Sequence, residues 1–141
     1  MTDPHAVNIL IVDDAFPVRE MIKYMLRKAG FETFSEAANG EEAFSILKDG
    51  AIDLVIADWK MPRLSGLALL EKIRADDQLK ALPFIMVTGE GDKEQVTTAI
   101  LAGASDYVLK PVSADILQKK VRRLVEQPAA PPPARGDDAP N

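Results

Sequence analysis

The chain contains no cysteine, which removes both a disulfide framework and thiol chemistry, and is compatible with a reducing compartment. It has a single histidine, His5, and one imidazole without a second histidine or a cysteine is not a transition-metal site. No apolar run approaches the roughly 18 residues of a membrane span. The opening stretch, MTDPHAVN, lacks a basic segment followed by an apolar core, so no signal peptide is expected. Positive charge is in deficit, with a formal net charge of -5, which argues against general nucleic-acid binding. No glycine-rich phosphate loop and no internal repeat occur. These absences leave a cytoplasmic location as the expectation, with neither membrane nor nucleic acid among the partners.

What remains is a chain of 141 residues, long enough for one domain with a core of its own. Short apolar runs at 7–12, 53–57, 83–88 and 106–109 have strand length, and FETFSEA (31–37) alternates as a half-buried strand does. Between and after them lie helical patterns. Val18, Met21, Ile22, Met25 and Leu26 form one stripe, whose methionines read as core. Ala43, Ile46 and Leu47 form a second, and Leu67, Leu70 and Ile73 a third. Val96, Ala99, Ile100 and Gly103 make the fourth, and Leu117, Val121, Leu124 and Val125 the fifth. Gly30 and Asp49-Gly50 stop the first two helices, and Asn39-Gly40 reads as a turn. Five strand–helix units predict an α/β fold: a parallel sheet with helices on both faces, open rather than closed into a barrel, with the alternating second strand at an edge. The domain is expected over 7–127. Residues 1–6 form an N-terminal extension, and the Pro/Ala-rich 128–141 a solvated tail or linker stub.

The polar residues fall in a pattern. Strand one runs into Asp13-Asp14, strand three into Asp58, strand four into Thr88 and strand five into Lys110. In a parallel sheet these ends share one edge, where open α/β sheets bind ligands. Capping of the following helices would account for Asp14 or Thr88 singly, but not for all five residues together. Three carboxylates in one crevice require protonation or a cation. Hard oxygen donors without imidazole or thiolate suit Mg²⁺, with Mn²⁺ as the alternative. A metal, an ammonium and a hydroxyl around one point suit a transferable phosphoryl group, and a carboxylate can be its nucleophile. Asp58, alone at the end of the central strand, is assigned that role, and the adjacent Asp13 and Asp14 the metal.

The Asp13-Asp14 pair, DWKMPRLSG around Asp58, VTGE at Thr88 and YVLKP at Lys110 resemble, in order and spacing over about 7–126, the receiver domain of two-component response regulators. DWKMP, IRAD, LPFIMVT and AGASDYVLKP resemble most the family's single-domain chemotaxis branch. The resemblance implies a flavodoxin-like strand order 2-1-3-4-5. It implies that Asp58 takes a phosphoryl group from a phosphohistidine on a sensor histidine kinase, so that the chain catalyses its own phosphorylation and slow dephosphorylation without being a conventional turnover enzyme. Asp13, Asp14, Asp58 and the backbone carbonyl of Lys60 would hold Mg²⁺. Thr88 and Lys110 would grip the phosphoryl oxygens, and Thr88 and Tyr107 would be the switch pair. The Lys110–Pro111 peptide would be cis. The partner surface would be that of the fourth helix, fifth strand and fifth helix, with Lys93, Val96, Tyr107, Lys119 and Arg122 on it. The partner would be a flagellar switch protein or a phosphatase, or a histidine phosphotransfer protein if the chain is a phosphorelay shuttle or phosphate sink. A receiver cut from a larger regulator within its linker is a further alternative, and a monomer is expected.

Some residues depart from the family pattern or stand beside it. Gly89 follows Thr88 where alanine is commoner. Lys60 and Glu90, each two residues beyond a site residue, are expected to rim the crevice and to modulate access to Asp58. Trp59 adjoins the site, and Arg63 reads as a solvated loop residue. A haloacid-dehalogenase-type phosphatase would need an aspartate where Lys60 stands. A flavin-type cofactor binder would need hydroxyls and amides where VDDAFPV presents two acids and a proline.

Overall fold

In four segments, residues that alternate along an extended chain are apolar on both sides, and such segments are stable only as strands covered on both faces; a fifth, TFSEA, is only half-buried. The computed structural model describes residues 3–89 and 93–128. After a short 3-10 turn, Pro4–Ala6, the elements are β1 (Asn8–Val12), α1 (Phe16–Arg27), β2 (Thr33–Ala37), α2 (Gly40–Lys48), β3 (Leu54–Asp58), α3 (Gly66–Ala75), β4 (Phe84–Thr88), α4 (Lys93–Leu101), β5 (Asp106–Leu109) and α5 (Ala114–Glu126). All strand pairs are parallel and the order is β2-β1-β3-β4-β5. The predicted doubly wound sheet is therefore observed, with strand two at an edge. The last three residues of β1, β3 and β4 are all buried.

Strand alternation divides the core in two. Ile9, Ile11, Leu54, Ile56, Ile85, Val87 and Val108 face α1 and α5 through Ile22, Leu26, Leu117, Val121 and Leu124. Leu10, Val12, Val55, Ala57, Phe84 and Met86 face the other helices through Ala43, Leu47, Leu69, Leu70, Ile73 and Ala99. Each fully buried aliphatic side chain contributes about 1.5–3 kcal/mol by leaving water, so the sheet is held rigidly from both sides.

Local signals account for most helix boundaries. Gly30 and Gly50 adopt positive φ just beyond α1 and α2. Asn39 caps α2 by accepting from the Glu42 amide, so Asn39-Gly40 opens a helix rather than making a free-standing turn. Ser65 and Ser113 cap α3 and α5 in the same way. Gly103, expected on the face of the fourth helix, lies beyond α4 with φ 105°, where it ends the helix instead. Met21, expected in the core, is 38% exposed. Arg74 ties the base of α3 to the next two loops: it donates to the carbonyls of Leu82 (2.7 Å), Lys80 (3.2 Å) and Gly103 (2.9 Å). Burial pushes the Arg74 pKa down. No helix among the described residues is long and apolar enough to cross a membrane.

Candidate functional site

The carboxyl ends of the strands gather the predicted polar residues. Asp13 follows β1 directly. Its N–H donates to the Ala37 carbonyl of β2 (3.1 Å), and its carboxylate accepts from the Ala15 amide (2.8 Å). Asp58 ends β3. Thr88 ends β4 and pairs in register with Leu109, while its carbonyl accepts from the Lys110 amide (2.8 Å). That bond sets Lys110 at the mouth of the crevice. There its Nζ lies 2.9 Å from Asp58 Oδ1, the amine 44% exposed and the acid 8%. The apolar fifth strand runs into a lysine whose ammonium turns back onto a buried carboxylate. The Lys110–Pro111 peptide is cis.

Asp13, Asp14 and Asp58 each bring a carboxylate oxygen within 4.8 Å of the others. Asp13 and Asp58 are buried and Asp14 is exposed. Burial pushes the Asp13 carboxyl above its usual range. The Ala15 amide opposes this, while the neighbouring Asp58 charge adds to it. Ionising Asp13 is therefore harder in the folded chain than in the unfolded one. On its own this group lowers stability as pH rises through its folded pKa, and a cation at the site reverses that sign. Asp14 does not cap α1: the cap position is Ala15, with no side-chain bond. It lines instead an open groove with Trp59, Lys60, Met61, Pro62 and Ser65.

The donor set fits a hard divalent ion. It is all oxygen, it carries more negative charge than Lys110 can neutralise, and it keeps one exposed acid on the solvent side. Another buried group points to an occupant of opposite need. Thr88 is 1% exposed, and its Oγ1 has no hydrogen-bond partner among the described residues. A buried hydroxyl left unbonded costs about 1–3 kcal/mol. Replacing Thr88 by valine should therefore leave the resting protein as stable or about 1 kcal/mol more stable in urea melts, and a loss of stability would show that the hydroxyl is already bonded in solution.

The segment after Asp58 is fixed by close packing. A side chain at Gly66 would bring its Cβ 2.3 Å from the Asp58 carbonyl oxygen, and the Gly66 amide donates to Trp59 O (2.9 Å). Glycine there lets α3 start directly beneath the central carboxylate. Trp59 packs against the core on the α3 side.

The expected partner surface is only partly a surface. Lys93, Lys119 and Arg122 are exposed. Val96 is 6% exposed on the inner side of α4, and Tyr107 is 2% exposed. Neither is available to a partner in this conformation: Val96 falls on the helix phase that meets the sheet, and the Tyr107 ring is turned in. Glu90, and with it the Lys60–Glu90 pair, lies outside the described residues, as do 129–141 of the expected tail. Lys60 itself is exposed. Arg63 sits in a loop with φ 68°, 3.6 Å from the exposed Glu41. His5 is exposed and 3.3 Å from Glu32.

Sequence reasoning missed a buried charge cluster behind Tyr107. Asp106, 1% exposed, bonds Lys120 Nζ at 2.8 Å and Arg123 Nη2 at 2.6 Å. Lys120, itself buried, also donates to the Tyr107 carbonyl and lies 4.3 Å from the centre of the Tyr107 ring. The signal was present: position 120 falls between Leu117, Val121 and Leu124 on the apolar stripe of α5, where a lysine requires a buried partner.

Comparison with known proteins gives a consistent picture. The model of the response regulator receiver domain matches residues 9–122. The chemotaxis protein CheY of Pseudomonas aeruginosa is 41% identical over 121 residues, 86% of this chain and 98% of that protein. CheY-3 of Vibrio cholerae is 42% identical over 121 residues, 86% of this chain and 93% of its own. The solved structure of the chemotaxis response regulator CheY4 of Vibrio cholerae superposes with a TM-score of 0.76 at 30% identity, covering 84% of this chain and 98% of that one.

Proposed function

Because this chain belongs to the response regulator receiver family, whose members are phosphorylation-dependent signalling switches, we propose that Asp58 is its phosphoacceptor and that a sensor histidine kinase is the donor. The observation that carries this reading is the meeting of Asp58 with Asp13, Asp14 and the Lys110 ammonium at one sheet edge. Asp13, Asp14, Asp58 and the Lys60 carbonyl would hold Mg²⁺. When bound, the ion neutralises the acids and the incoming phosphoryl oxygens. The Asp58 carboxylate attacks phosphorus as the bond to the donor imidazole breaks, giving an acyl phosphate. Lys110, already against Asp58, shifts its ammonium to a phosphoryl oxygen. The Thr88 hydroxyl finds there the acceptor it lacks at rest.

That last step is the switch. Movement of Thr88 toward the phosphoryl group vacates space beside β5. The inward state of Tyr107 is then favoured together with a new arrangement of the α4, β5 and α5 surface, around the exposed Lys93, Lys119 and Arg122. A partner that prefers this surface stabilises the phosphorylated form by the same factor. The chemotaxis names of the relatives support a flagellar switch protein as that partner. Lys60 and Glu90 would set how readily water reaches the acyl phosphate. The expected domain, 7–127, would be the whole switch, with the Pro/Ala-rich end outside it.

The test has two stages. Trp59 fluorescence should report saturable Mg²⁺ binding, and at ten times Kd the ion should stabilise the fold by about 1.4 kcal/mol. Beryllofluoride with Mg²⁺ should then make the chain capture a flagellar switch protein. Capture of a histidine phosphotransfer protein instead would assign it to a phosphorelay. Absence of any Mg²⁺ effect would overturn the reading at its base.

A further inference from the structure

The peptide between Asp13 and Asp14 is gripped by a side chain that touches neither carboxylate. Arg19, on the first turns of α1, donates through Nη1 to the Asp13 carbonyl oxygen at 2.6 Å. Its Nε donates to Glu36 Oε1 at 3.0 Å, and its guanidinium lies 5.6 Å from the centre of the Phe16 ring. The side chain is 15% exposed. Glu36, on edge strand β2, takes its second bond from Lys23 Nζ at 2.8 Å, and Lys23 also pairs with Glu20 at 2.5 Å. The Lys23 bond, joined by that of Arg19, holds the Glu36 carboxyl below the usual carboxylate range. Glu36 is thus ionised at neutral pH and a firm anchor for the guanidinium.

The Asp13 main chain and side chain are thereby tied on three sides: N–H to Ala37, carboxylate to the Ala15 amide, carbonyl to Arg19. The carbonyl bond matters most for the next residue. It fixes the plane of the 13–14 peptide and hence the direction in which Asp14 leaves the chain. The Asp14 carboxylate is exposed and has no hydrogen bond of its own among the described residues, so its aim depends on the backbone that carries it.

We propose that Arg19 is a positioning residue for the paired aspartates: braced by Glu36, it orients the Asp13–Asp14 peptide so that both carboxylates face one cation. Strand β2, which sends no side chain into the crevice, thus enters its chemistry through Glu36. The inference rests on the Mg²⁺-dependent reading above and assigns Arg19 within it.

For Arg19→Met charge and geometry predict opposite outcomes, which makes the assignment testable. A guanidinium beside a cation site repels the cation. If charge were all that mattered, removing it would tighten Mg²⁺ binding, and a lysine would leave binding unchanged. If positioning dominates, loss of the bridge weakens binding, and lysine, with one ammonium on a shorter reach, cannot bridge the Asp13 carbonyl and Glu36 as a planar fork does. Mg²⁺ titrations followed by Trp59 fluorescence and by calorimetry should show Arg19→Met weakened about tenfold, the lower end for residues that orient metal ligands. Arg19→Lys should behave nearly as Arg19→Met, and Glu36→Gln should fall between them and wild type. Circular dichroism and urea melts in EDTA establish that each variant is folded at the titration temperature, and Glu36→Gln leaves the Arg19 side chain in place should Arg19→Met unfold. Wild-type or tighter Mg²⁺ affinity in Arg19→Met and Glu36→Gln would overturn the proposal. Absence of Mg²⁺ binding in the wild type would overturn the site reading instead.

Discussion

An Asp58→Asn protein should take up less than roughly 1% of the wild-type label from acetyl phosphate with Mg²⁺, because an amide oxygen is a poor nucleophile and cannot leave as a carboxylate does. The substitution keeps shape and volume, so the buried position at the end of β3 is still filled. It removes one of three acids that repel one another and leaves Lys110 facing a neutral oxygen rather than an anion. Folding stability without metal should therefore hold or rise, while Mg²⁺ affinity falls. The combination separates chemistry from folding: label and urea midpoint, measured on one preparation, should move in different directions. Asp13 and Asp14 remain as competing carboxylates. Label found on either of them in the variant, at wild-type stoichiometry, would show that the acceptor had been assigned to the wrong strand end.

The second large effect concerns stability. Replacing Asp106 by alanine should destabilise the fold by about 3 kcal/mol, the lower end for removing one member of a buried ion pair. Asp106 is 1% exposed and bonds both Lys120 and Arg123. Arg123 is partly exposed and can turn to water, but Lys120 is held against the Tyr107 carbonyl and ring and keeps its charge inside. Urea unfolding with an unchanged slope is the measurement. A shift under about 1 kcal/mol would show that Lys120 escapes to solvent more easily than its burial implies. A Lys120→Met partner variant should recover part of the loss, since an apolar side chain of similar length fills the site without needing an acid.

How much of this was legible in the chain follows from which interactions are local. The strand ends were legible because a parallel sheet turns four separate apolar runs into one edge, so polar residues at their termini must meet. The meeting of Asp13, Asp14, Asp58 and Lys110 at one edge, with Thr88 at the neighbouring strand end, was expected in that way, without any pairwise contact being known. Strand boundaries slipped by one residue, as at β3, which includes Asp58, or by two, as at β2, which begins at Thr33. Helix faces were read from apolar residues alone, which hid Lys120 inside the stripe of α5. It also placed Met21 in the core, although the border of a stripe is free to face water. Val96 was assigned outward and inward at once: it belongs to the apolar stripe of the fourth helix, and burial decides between the two. Arg74, and the grip of Arg19 on Asp13, were invisible because the partners are main-chain carbonyls, which every residue has and no composition reveals. Tyr107 illustrates another limit, since its two expected roles, switch and contact residue, need different positions of one ring.

The grip of Arg74 has a mechanical corollary. By holding the Gly103 carbonyl, just past Leu101, it pins the carboxyl end of α4 to the end of α3. A helix anchored in this way would tilt about its anchored end. With nine residues, α4 is about 13 Å long, so a tilt of about 10° around Gly103 carries its far end roughly 2 Å. A tilt driven from the Thr88 side would thus leave the Gly103 end in place and present a displaced amino-terminal half to a docking protein, and weakening the fulcrum by Arg74→Met would blunt the signal without touching the phosphate.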